Sequence, residues 1–499
     1  MRKIIKILTS KTLILGLFIL AQLFFLGFVV TRLINDEYIG IYLNWFFAII
    51  SIFIVIHVVS SDMNPEYKIA WIIPILALPV FGTFFYLLYH QNNVTKKTLE
   101  NYFNITKTRN KLLKNIPNEL KYKEILYLNN NGWRYYRNSN VKILKSGEEK
   151  LTKLLIDLKN AKEFILMEYF ILSKGRVYDQ IFDVLKQKAK EGVEIKIIYD
   201  DFGSADRLPF NFRKKMKLEG IETIPFNRMN LRLNFAMNYR THRKIVVIDN
   251  KVAYTGGINI GDEYNNYVER FGQWHDASFR ITGNAVWSFT LIFLENWNFS
   301  VKDRVEYINY YREGDVKSNE VVAPFADNPI EDRQITKSAL LYLINEAKEE
   351  ILITTPYLIL DNELMTALKL AAKSGVKVKI VIPGIADKKL VYLVTELYAQ
   401  GLVKNGVEIY KYKPGFIHSK LYLFDNKKAI IGTTNLDFRS LYLHFENNVL
   451  IYNSPVINEI YNYIIDAINI SDLQSEDDLE KNFLIKTLQQ ILRGFSAIL

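Results

Sequence analysis

One pattern of residue types occurs twice in this chain at identical intervals, and it constrains the fold more than any other feature. The copies lie in THRKIVVIDNKVAYTGGINI (241–260) and FIHSKLYLFDNKKAIIGTTNLDFRS (416–440). The first comprises His242, Lys244, Asp249, Gly256 and Asn259, and the second comprises His418, Lys420, Asp425, Gly432 and Asn435. Only six of the 499 residues are histidine, so two copies in register are not an accident of composition. The sequence therefore predicts two equivalent halves.

The segments that precede each copy repeat as well. In each half, a short apolar stretch, a segment of helical spacing and a second apolar stretch follow one another. These segments are 163–172, 177–192 and 193–201 in the first half, and 349–360, 363–375 and 376–384 in the second. Such alternation is typical of an α/β fold with a largely parallel sheet. We expect two tandem α/β repeats, 136–318 and 319–499, packed with pseudo-twofold symmetry so that both motifs face one site.

The first ninety residues differ in composition from the rest. Residues 12–31 and 38–61 contain no Asp, Glu, Lys or Arg, and each reaches the about 20 residues that cross a bilayer as a helix. A third apolar stretch, 69–90, contains two prolines and is expected to be kinked, re-entrant or interfacial. We expect 1–95 to form a membrane anchor of two or three apolar helices.

Basic residues flank this predicted anchor on both sides. The first eleven residues contain four basic residues and no acid, and the segment 96–135 is expected to be a basic linker. Because basic flanks favour the cytoplasm, we expect an even number of crossings in a multi-pass protein of the cell membrane whose catalytic part faces the cytoplasm. The tail, 481–499, has helical apolar spacing, and we expect it to pack in the core, with contact to the membrane as the alternative.

Charge and cysteine content narrow the possible partners and cofactors. The formal net charge of +11 suits phosphate-bearing partners, either nucleic acid or anionic lipid. The chain contains no cysteine, which excludes disulfides and thiolate metal sites.

Each motif supplies the groups that phosphoryl transfer needs. Residues two apart on a strand face the same side, so each histidine points the same way as its lysine. One imidazole can attack phosphorus while the other protonates the departing alkoxide. The lysines and asparagines can hold the non-bridging oxygens, and Asp249 and Asp425 can orient the imidazoles. This chemistry needs no cofactor or metal, and His275, next to Asp276, is expected to be structural.

The paired H-x-K-x4-D pattern with its downstream asparagine resembles the phospholipase D superfamily. Over almost its full length, the chain is more narrowly similar to the bacterial cardiolipin synthases. The similarity covers NYRTHRKIVVIDNKVAYTGGINIGDEY, GTTNLDFRS, the apolar WIIPILALPVFGTFFYLL and the ending RGFSAIL.

The resemblance implies transfer of a phosphatidyl group between two phosphatidylglycerols, giving cardiolipin and glycerol. It implies that His242 is the nucleophile that forms a phosphohistidine and that His418 is the general acid and base. Glu446, eleven residues after Asn435, takes the place of a carboxylate that orients a histidine in the superfamily. The first half departs here, because Arg270 occupies the corresponding place. Anionic phospholipids and the membrane are the expected partners, and nucleic acid is not.

Two other functions remain open at this stage. A hydrolytic phospholipase D, or a membrane-bound phosphodiesterase or nuclease of the same superfamily, would use the same side chains with water as the acceptor. A non-catalytic membrane scaffold would be expected to have lost part of one motif, and both motifs are intact.

Overall fold

The chain divides into two units, and both histidine motifs lie in the larger one. The computed structural model describes residues 37–89, 96–114, 116, 119–228, 235–331 and 333–498, with six further residues between 20 and 31. The smaller unit comprises Met1–Lys96, Asn227–Tyr239 and Asn482–Leu499, and the larger unit comprises Lys97–Phe226 and Arg240–Lys481.

The smaller unit is helical where the structure describes it. Its helices are α1 (Glu37–Ser60), α2 (Pro65–Ala77), α3 (Pro79–Tyr89) and the C-terminal helix (Phe483–Gly494). Helix α2 begins with a proline after Asn64, whose side chain accepts the N–H of Glu66, as is usual at a helix start. A side chain at Gly82 would lie 2.2 Å from the carbonyl oxygen of Pro74, so glycine is needed where α3 approaches α2.

The predicted membrane crossings are not found in the part of the chain that the structure describes. Within the described ranges, no helix combines the length and the apolar character that a membrane crossing requires. The predicted span 12–31 lies largely outside those ranges, and 38–61 corresponds to α1. The stretch 69–90 is broken at Leu78. Its longer helix, α2, has 13 residues, or about 20 Å at the usual rise per residue.

The C-terminal helix differs from its predicted role in the core. Its large apolar side chains Phe483, Leu484, Leu488 and Ile491 are exposed. The buried side chain of this helix is that of Gln489, which lies on another side. The predicted apolar spacing is present, but this apolar face does not pack in a core.

The larger unit contains two mixed sheets and one small strand pair. The first-half strands are β1 (Ser139–Leu144), β2 (Phe164–Tyr169), β3 (Glu194–Asp200), β4 (Ile221–Phe226), β5 (Arg240–Thr241), β6 (Lys244–Ile248), β7 (Val252–Gly256), β8 (Gln273–His275) and β9 (Ser278–Gly283). The second-half strands are β10 (Val321–Asp327), β11 (Glu350–Thr354), β12 (Lys377–Pro383), β13 (Glu408–Tyr412), β14 (Gly415–Ile417), β15 (Leu421–Phe424), β16 (Lys428–Gly432), β17 (His444–Tyr452) and β18 (Ser471–Gln474).

The two large sheets share one topology. Their strand orders are β1-β9-β7-β6-β2-β3-β4 and β10-β17-β16-β15-β11-β12-β13-β18, so every strand of the first sheet has a counterpart in the second. The duplication inferred from the motifs is therefore present as two equivalent sheets. The repeat boundaries at 136, 318 and 499 stay predictions.

The expectation of largely parallel sheets is wrong. Along the two strand orders just given, only β2-β3-β4 and β11-β12-β13 pair in parallel, and the other neighbouring strands are antiparallel. The reason lies in the motifs themselves. Asp249 and Asn250 have φ values of 50° and 53°, and Asp425 and Asn426 have values of 51° and 48°. Such pairs form tight hairpin turns, so each motif strand runs antiparallel to the next strand.

Helices cover the sheets and separate them. They are α4 (Lys96–Leu113), α5 (Lys123–Asn130), α6 (Gly147–Lys159), α7 (Arg176–Lys190), α8 (Phe212–Leu218), α9 (Val286–Ser300), α10 (Ile335–Glu346), α11 (Asn362–Lys373), α12 (Lys389–Val403), α13 (Val456–Asn469) and α14 (Glu476–Leu479). Helix α7 matches the predicted helix 177–192 and ends before Gly192, whose φ is +88°. Helix α9 is buried from Val286 to Asn298 and contacts strands of both sheets. A helix that is buried on all sides is typically central.

The segment predicted to be a basic linker contains two helices, α4 and α5, and is partly buried. Helix α4 buries Tyr102, Ile105 and Arg109. The Nη1 atom of Arg109 lies 3.1 Å from both carboxylate oxygens of Glu295 in α9. Its guanidinium also lies 4.0 Å from the ring centre of Trp133. This buried ion pair connects α4 to the central helix α9.

We expect Arg109→Met to lower the free energy of unfolding by about 3 kcal/mol, because removing one member of a buried pair leaves the other charge without a partner. Thermal unfolding of the purified chain measures this change. Lys107→Met is the matched control, since Lys107 is exposed on the same helix. Equal unfolding midpoints for both variants would contradict the role given to the ion pair.

Candidate active site

The first histidine is positioned by a strand from the other half. Strand β5 pairs in parallel with the start of β17, with Arg240 opposite His444. Two residues further along each strand, His242 lies beside Glu446. The N–H of His242 donates to the carbonyl of Phe445 over 2.9 Å, so the backbone fixes the histidine next to this carboxylate.

The second histidine is positioned in the reciprocal way. Strand β14 pairs in parallel with β8, with Ile417 opposite His275. The next residue on each strand is His418 and Asp276, respectively. The N–H of His418 donates to the carbonyl of His275 over 2.7 Å. Each half therefore contributes a pairing strand and an acid to the histidine of the other half.

Both imidazoles are bound to these acids through the same ring nitrogen. The Nδ1 atom of His242 lies 2.9 Å from Oε1 of Glu446, and Nδ1 of His418 lies 2.6 Å from Oδ2 of Asp276. Since an ionised carboxylate only accepts hydrogen bonds, the Nδ1 atoms carry the protons. Each Nε2 atom then retains a lone pair with which it can act as a nucleophile or base.

The two lysines are buried behind their own histidines. The Nζ atom of Lys244 donates to the carbonyl of His242 over 2.6 Å, and that of Lys420 donates to the carbonyl of His418. Burial lowers the pKa of Lys244 well below its ordinary value and that of Lys420 to about 8. Burial disfavours the charged form of an ammonium group. A bound anion would therefore stabilise the charged form of both lysines.

The electrostatic surroundings of the two histidines include charged groups from both halves. Burial, followed by Lys244, Lys420 and His418, lowers the pKa of His242 well below its ordinary value. Burial and Lys420 lower the pKa of His418 to about 4, although Asp276 opposes the shift. Both imidazoles are therefore neutral at neutral pH, and charged groups of each half act on the histidine of the other.

The two motif asparagines are buried at the ends of their loops. Asn259 accepts the N–H of Ile171 at its Oδ1 over 3.1 Å. The Nδ2 atom of Asn435 donates to Asp437 over 3.1 Å. Their predicted binding of phosphate oxygens stays a prediction.

Asp249 and Asp425 do not contact the histidines, contrary to the predicted orienting role. The carboxylate of Asp249 accepts the N–H groups of Lys162, Glu163 and Phe164 over 2.7–2.8 Å. That of Asp425 accepts the N–H groups of Lys348, Glu349 and Glu350 over 2.8–3.2 Å. Both residues follow the motif strand at its far end, so they bind the start of the neighbouring strand instead of the imidazole.

The sequence reasoning missed the acid that serves the second histidine. It applied the interval between Asn435 and Glu446 to the first half and reached Arg270, which is exposed. The structural counterpart is Asp276, six residues later, because the segment between Asn259 and β8 is longer than the segment between Asn435 and β17. The signal in the sequence that could have identified Asp276 is an acid at the end of a short strand. A fixed interval after the motif asparagine could not identify it.

A third histidine that the sequence reasoning did not select adjoins the first. The ring centres of His444 and His242 are 5.3 Å apart, and Nδ1 of His444 lies 3.6 Å from Oε1 of Glu446. Within the described ranges, ligand atoms of these three residues lie within 4.8 Å of one another, a set that could hold a metal ion. The prediction that the site works without metal stays a prediction.

The paired motifs and equivalent sheets define a two-repeat protein of the phospholipase D type. A family model described as cardiolipin synthase, phospholipase D-like domain, matches residues 154–269 and 340–467. A second model, the phospholipase D–nuclease N-terminal region, matches residues 45–89. The chain belongs to the cardiolipin synthase family.

Named relatives agree with this placement. A cardiolipin synthase of Listeria monocytogenes is 33% identical, with 92% of this chain and 97% of the relative covered. One of Oceanobacillus iheyensis is 34% identical, with 80% of this chain and 86% of the relative covered. The crystal structure of a phosphatidylserine synthase from Haemophilus influenzae superposes with a TM-score of 0.57 at 16% identity, covering 79% of this chain and 100% of that chain. That likeness concerns the fold alone.

We expect Asp249→Ala to destabilise the larger unit by about 3 kcal/mol, because three backbone N–H groups lose a charged acceptor. Chemical unfolding monitored by tryptophan fluorescence measures the loss. Asp183→Ala, an exposed aspartate on α7, is the control and should unfold like the parent. Unchanged stability for Asp249→Ala would restore the predicted support of the histidine.

Proposed function

We propose that this protein transfers a phosphatidyl group from one phosphatidylglycerol to another, forming cardiolipin and releasing glycerol. The observation that carries the proposal is the pairing of two buried, neutral imidazoles with carboxylates of the opposite half, beside two buried lysines. This arrangement suits a double displacement at one phosphorus atom.

In the first step, Nε2 of His242 attacks the phosphorus of the first phosphatidylglycerol. The bond between phosphorus and the glycerol oxygen breaks, and His418 gives a proton to that oxygen, so glycerol leaves. The product is a phosphatidyl group on Nε2 of His242. Glu446 stabilises the positive charge that develops on this imidazole, as a triad carboxylate does.

In the second step, His418 accepts the proton of a head-group hydroxyl of the second phosphatidylglycerol. The resulting oxygen nucleophile attacks phosphorus, the bond between phosphorus and Nε2 breaks, and cardiolipin leaves. The same residue thus acts as acid and then as base. Lys244 and Lys420, with Asn259 and Asn435, hold the non-bridging oxygens in both steps.

The protonation of His418 depends on the substrate. Its pKa of about 4 in the substrate-free site leaves it neutral at neutral pH. A phosphodiester carries a negative charge, which raises the pKa of a nearby imidazole. The negative charge of the bound lipid head group therefore raises the pKa of His418 and favours its protonated form, which can act as an acid.

The substrate also determines where the protein works. A diacyl lipid leaves the bilayer only at a cost of about 0.8 kcal/mol for each buried methylene group. We place the protein at the cell membrane, with the larger unit facing the cytoplasm. The basic residues that flank the apolar N-terminal region support this side of the membrane.

With purified protein and phosphatidylglycerol labelled in its head group, we expect cardiolipin and free labelled glycerol in equal amounts. His242→Ala and His418→Ala should lower the rate by at least about 100-fold, while the exposed His57→Ala should not. Mass spectrometry of the lipids measures the products. Phosphatidic acid without cardiolipin would indicate hydrolysis, and unchanged turnover in both site variants would indicate a scaffold.

We expect Glu446 and Asp276 to act on different bonds, because Glu446 supports the attacking His242 and Asp276 supports the proton transfer by His418. A substrate with a good leaving group separates these two contributions. With phosphatidyl-p-nitrophenol, departure needs no proton, so Asp276→Asn and His418→Ala should still release one equivalent of p-nitrophenolate in a burst. Glu446→Gln should slow that burst, because Glu446 supports the nucleophile. Stopped-flow absorbance measures it. Loss of the burst in Asp276→Asn with its retention in Glu446→Gln would reverse the assigned roles of the histidines.

A further inference from the structure

Two loops of the larger unit occupy equivalent places beside the catalytic histidines. The first, 201–211, follows β3, and the N–H of Thr241, one residue before His242, donates to Asp200 over 3.1 Å. The second, 384–388, follows β12, and the N–H groups of Gly384 and Ile385 donate to the carbonyl of Gly415 at the start of β14 over 3.1 and 3.2 Å. Each loop therefore begins next to the short strand that leads into a catalytic histidine.

Both loops and the residues just after them expose large apolar side chains. Phe210 is fully exposed at 102%, and Phe202 is 48% exposed. In the second half, Ile385 is 41% exposed and Leu390, in the first turn of α12, is 53% exposed. Exposed apolar groups on both sides of a catalytic site are typical of a surface that meets an apolar partner. We call Phe202, Phe210, Ile385 and Leu390 the apolar rim.

Basic residues accompany the rim in both halves. The segment 202–218 contains five basic residues and the single acid Asp206. The basic residues are Arg207, Arg213, Lys214, Lys215 and Lys217. In the second half, Lys388 and Lys389 are exposed, and Asp387 is engaged by the hydroxyl of Tyr357 over 2.5 Å. Lys388 also acts electrostatically on His242, which places its charge near the reacting groups.

We infer that the apolar rim docks the larger unit onto an anionic phospholipid bilayer, with the aromatic and aliphatic side chains entering the interface and the lysines contacting the head groups. Apolar side chains combined with excess positive charge fit this occupant. An interface with another protein does not require basic residues around the apolar groups in both halves, whereas an anionic bilayer favours them. The inference rests on the proposed function for the identity of the lipid that enters the site.

The docking geometry also gives each half its own contact with the bilayer. Because the loops 201–211 and 384–388 follow equivalent strands of the two halves, each half contacts the bilayer through its own loop beside the site. The catalytic histidines lie at the same edge of the sheets as these loops, since Lys244 pairs with Tyr169 at the end of β2. Two lipid head groups can thus reach one phosphorus-binding site while their acyl chains stay in the membrane.

The absence of cysteine makes a labelling test direct. The full chain, inactivated by His242→Ala so that no lipid is consumed, carries a single cysteine through Phe210→Cys or Ile385→Cys and an environment-sensitive fluorophore. Leu370→Cys is the control, because Leu370 is 59% exposed but lies near the end of α11, which returns to the opposite edge of the sheet. The protein is reconstituted in vesicles containing phosphatidylglycerol, with and without spin-labelled lipid.

We expect spin-labelled lipid to quench the fluorophore at positions 210 and 385 and not at position 370. Absence of quenching at 210 and 385, or equal quenching at all three positions, would overturn the inference. Replacing phosphatidylglycerol with phosphatidylcholine should reduce quenching at 210 and 385, because the lysines then lose their anionic partners. Unchanged quenching would exclude the charge contribution.

A kinetic comparison tests the same surface in the active protein. For Phe210→Ser combined with Ile385→Ser, the ratio of the rate on vesicles to the rate on soluble short-chain phosphatidylglycerol should fall about tenfold or more, as expected when buried apolar groups are lost. Leu370→Ser should leave this ratio unchanged, and an unchanged ratio in the double variant would contradict docking. If the parent protein makes no cardiolipin from either substrate, the proposed function fails, while the labelling result still decides the docking surface.

Discussion

The exchange of short strands between the two halves is the interaction on which the rest of the site depends. Strand β5 of the first half pairs with β17 of the second, and β14 of the second pairs with β8 of the first. Each pairing ends where a histidine meets an acid of the other half. Neither half alone contains a motif histidine together with the acid that binds it, so this pairing exists only when both halves are folded together. This explains why a duplicated chain forms one site instead of two.

The sequence predicted the parts of this arrangement that depend on local spacing. Equal intervals within the two motifs require equal strand and turn geometry, and the two sheets do share one strand order. Glu446 was found through the family resemblance, which implies a carboxylate eleven residues after Asn435. Asp276 was not found, because the segment between Asn259 and β8 is longer than its counterpart in the second half, which changes the interval. The cross-half pairing is a tertiary contact, and no local spacing encodes it.

Two predictions failed for a shared physical reason, which is that the motif aspartates belong to turns. A carboxylate at the end of a strand can reach either an imidazole or the backbone of a neighbouring strand, and the sequence does not distinguish these. In the structure, Asp249 and Asp425 adopt positive φ values and bind three N–H groups each. The same turns reverse the chain between β6 and β7 and between β15 and β16, which makes these two strand pairs antiparallel. One feature, the Asp-Asn turn, thus accounts for both hairpins and for the role of the aspartates.

The two halves are equivalent in topology but not in the surroundings of their histidines, and this difference bears on the proposed roles. His242 is paired with glutamate and adjoins His444 and Phe170, whereas His418 is paired with aspartate over a shorter distance and adjoins Trp274. His418 and Lys420 hold the pKa of Asp276 below its ordinary value against the effect of burial. An ionised aspartate so close to Nδ1 favours the protonated imidazole. This effect of Asp276 supports the proposed assignment, in which His418 carries a proton to the leaving group and His242 attacks phosphorus.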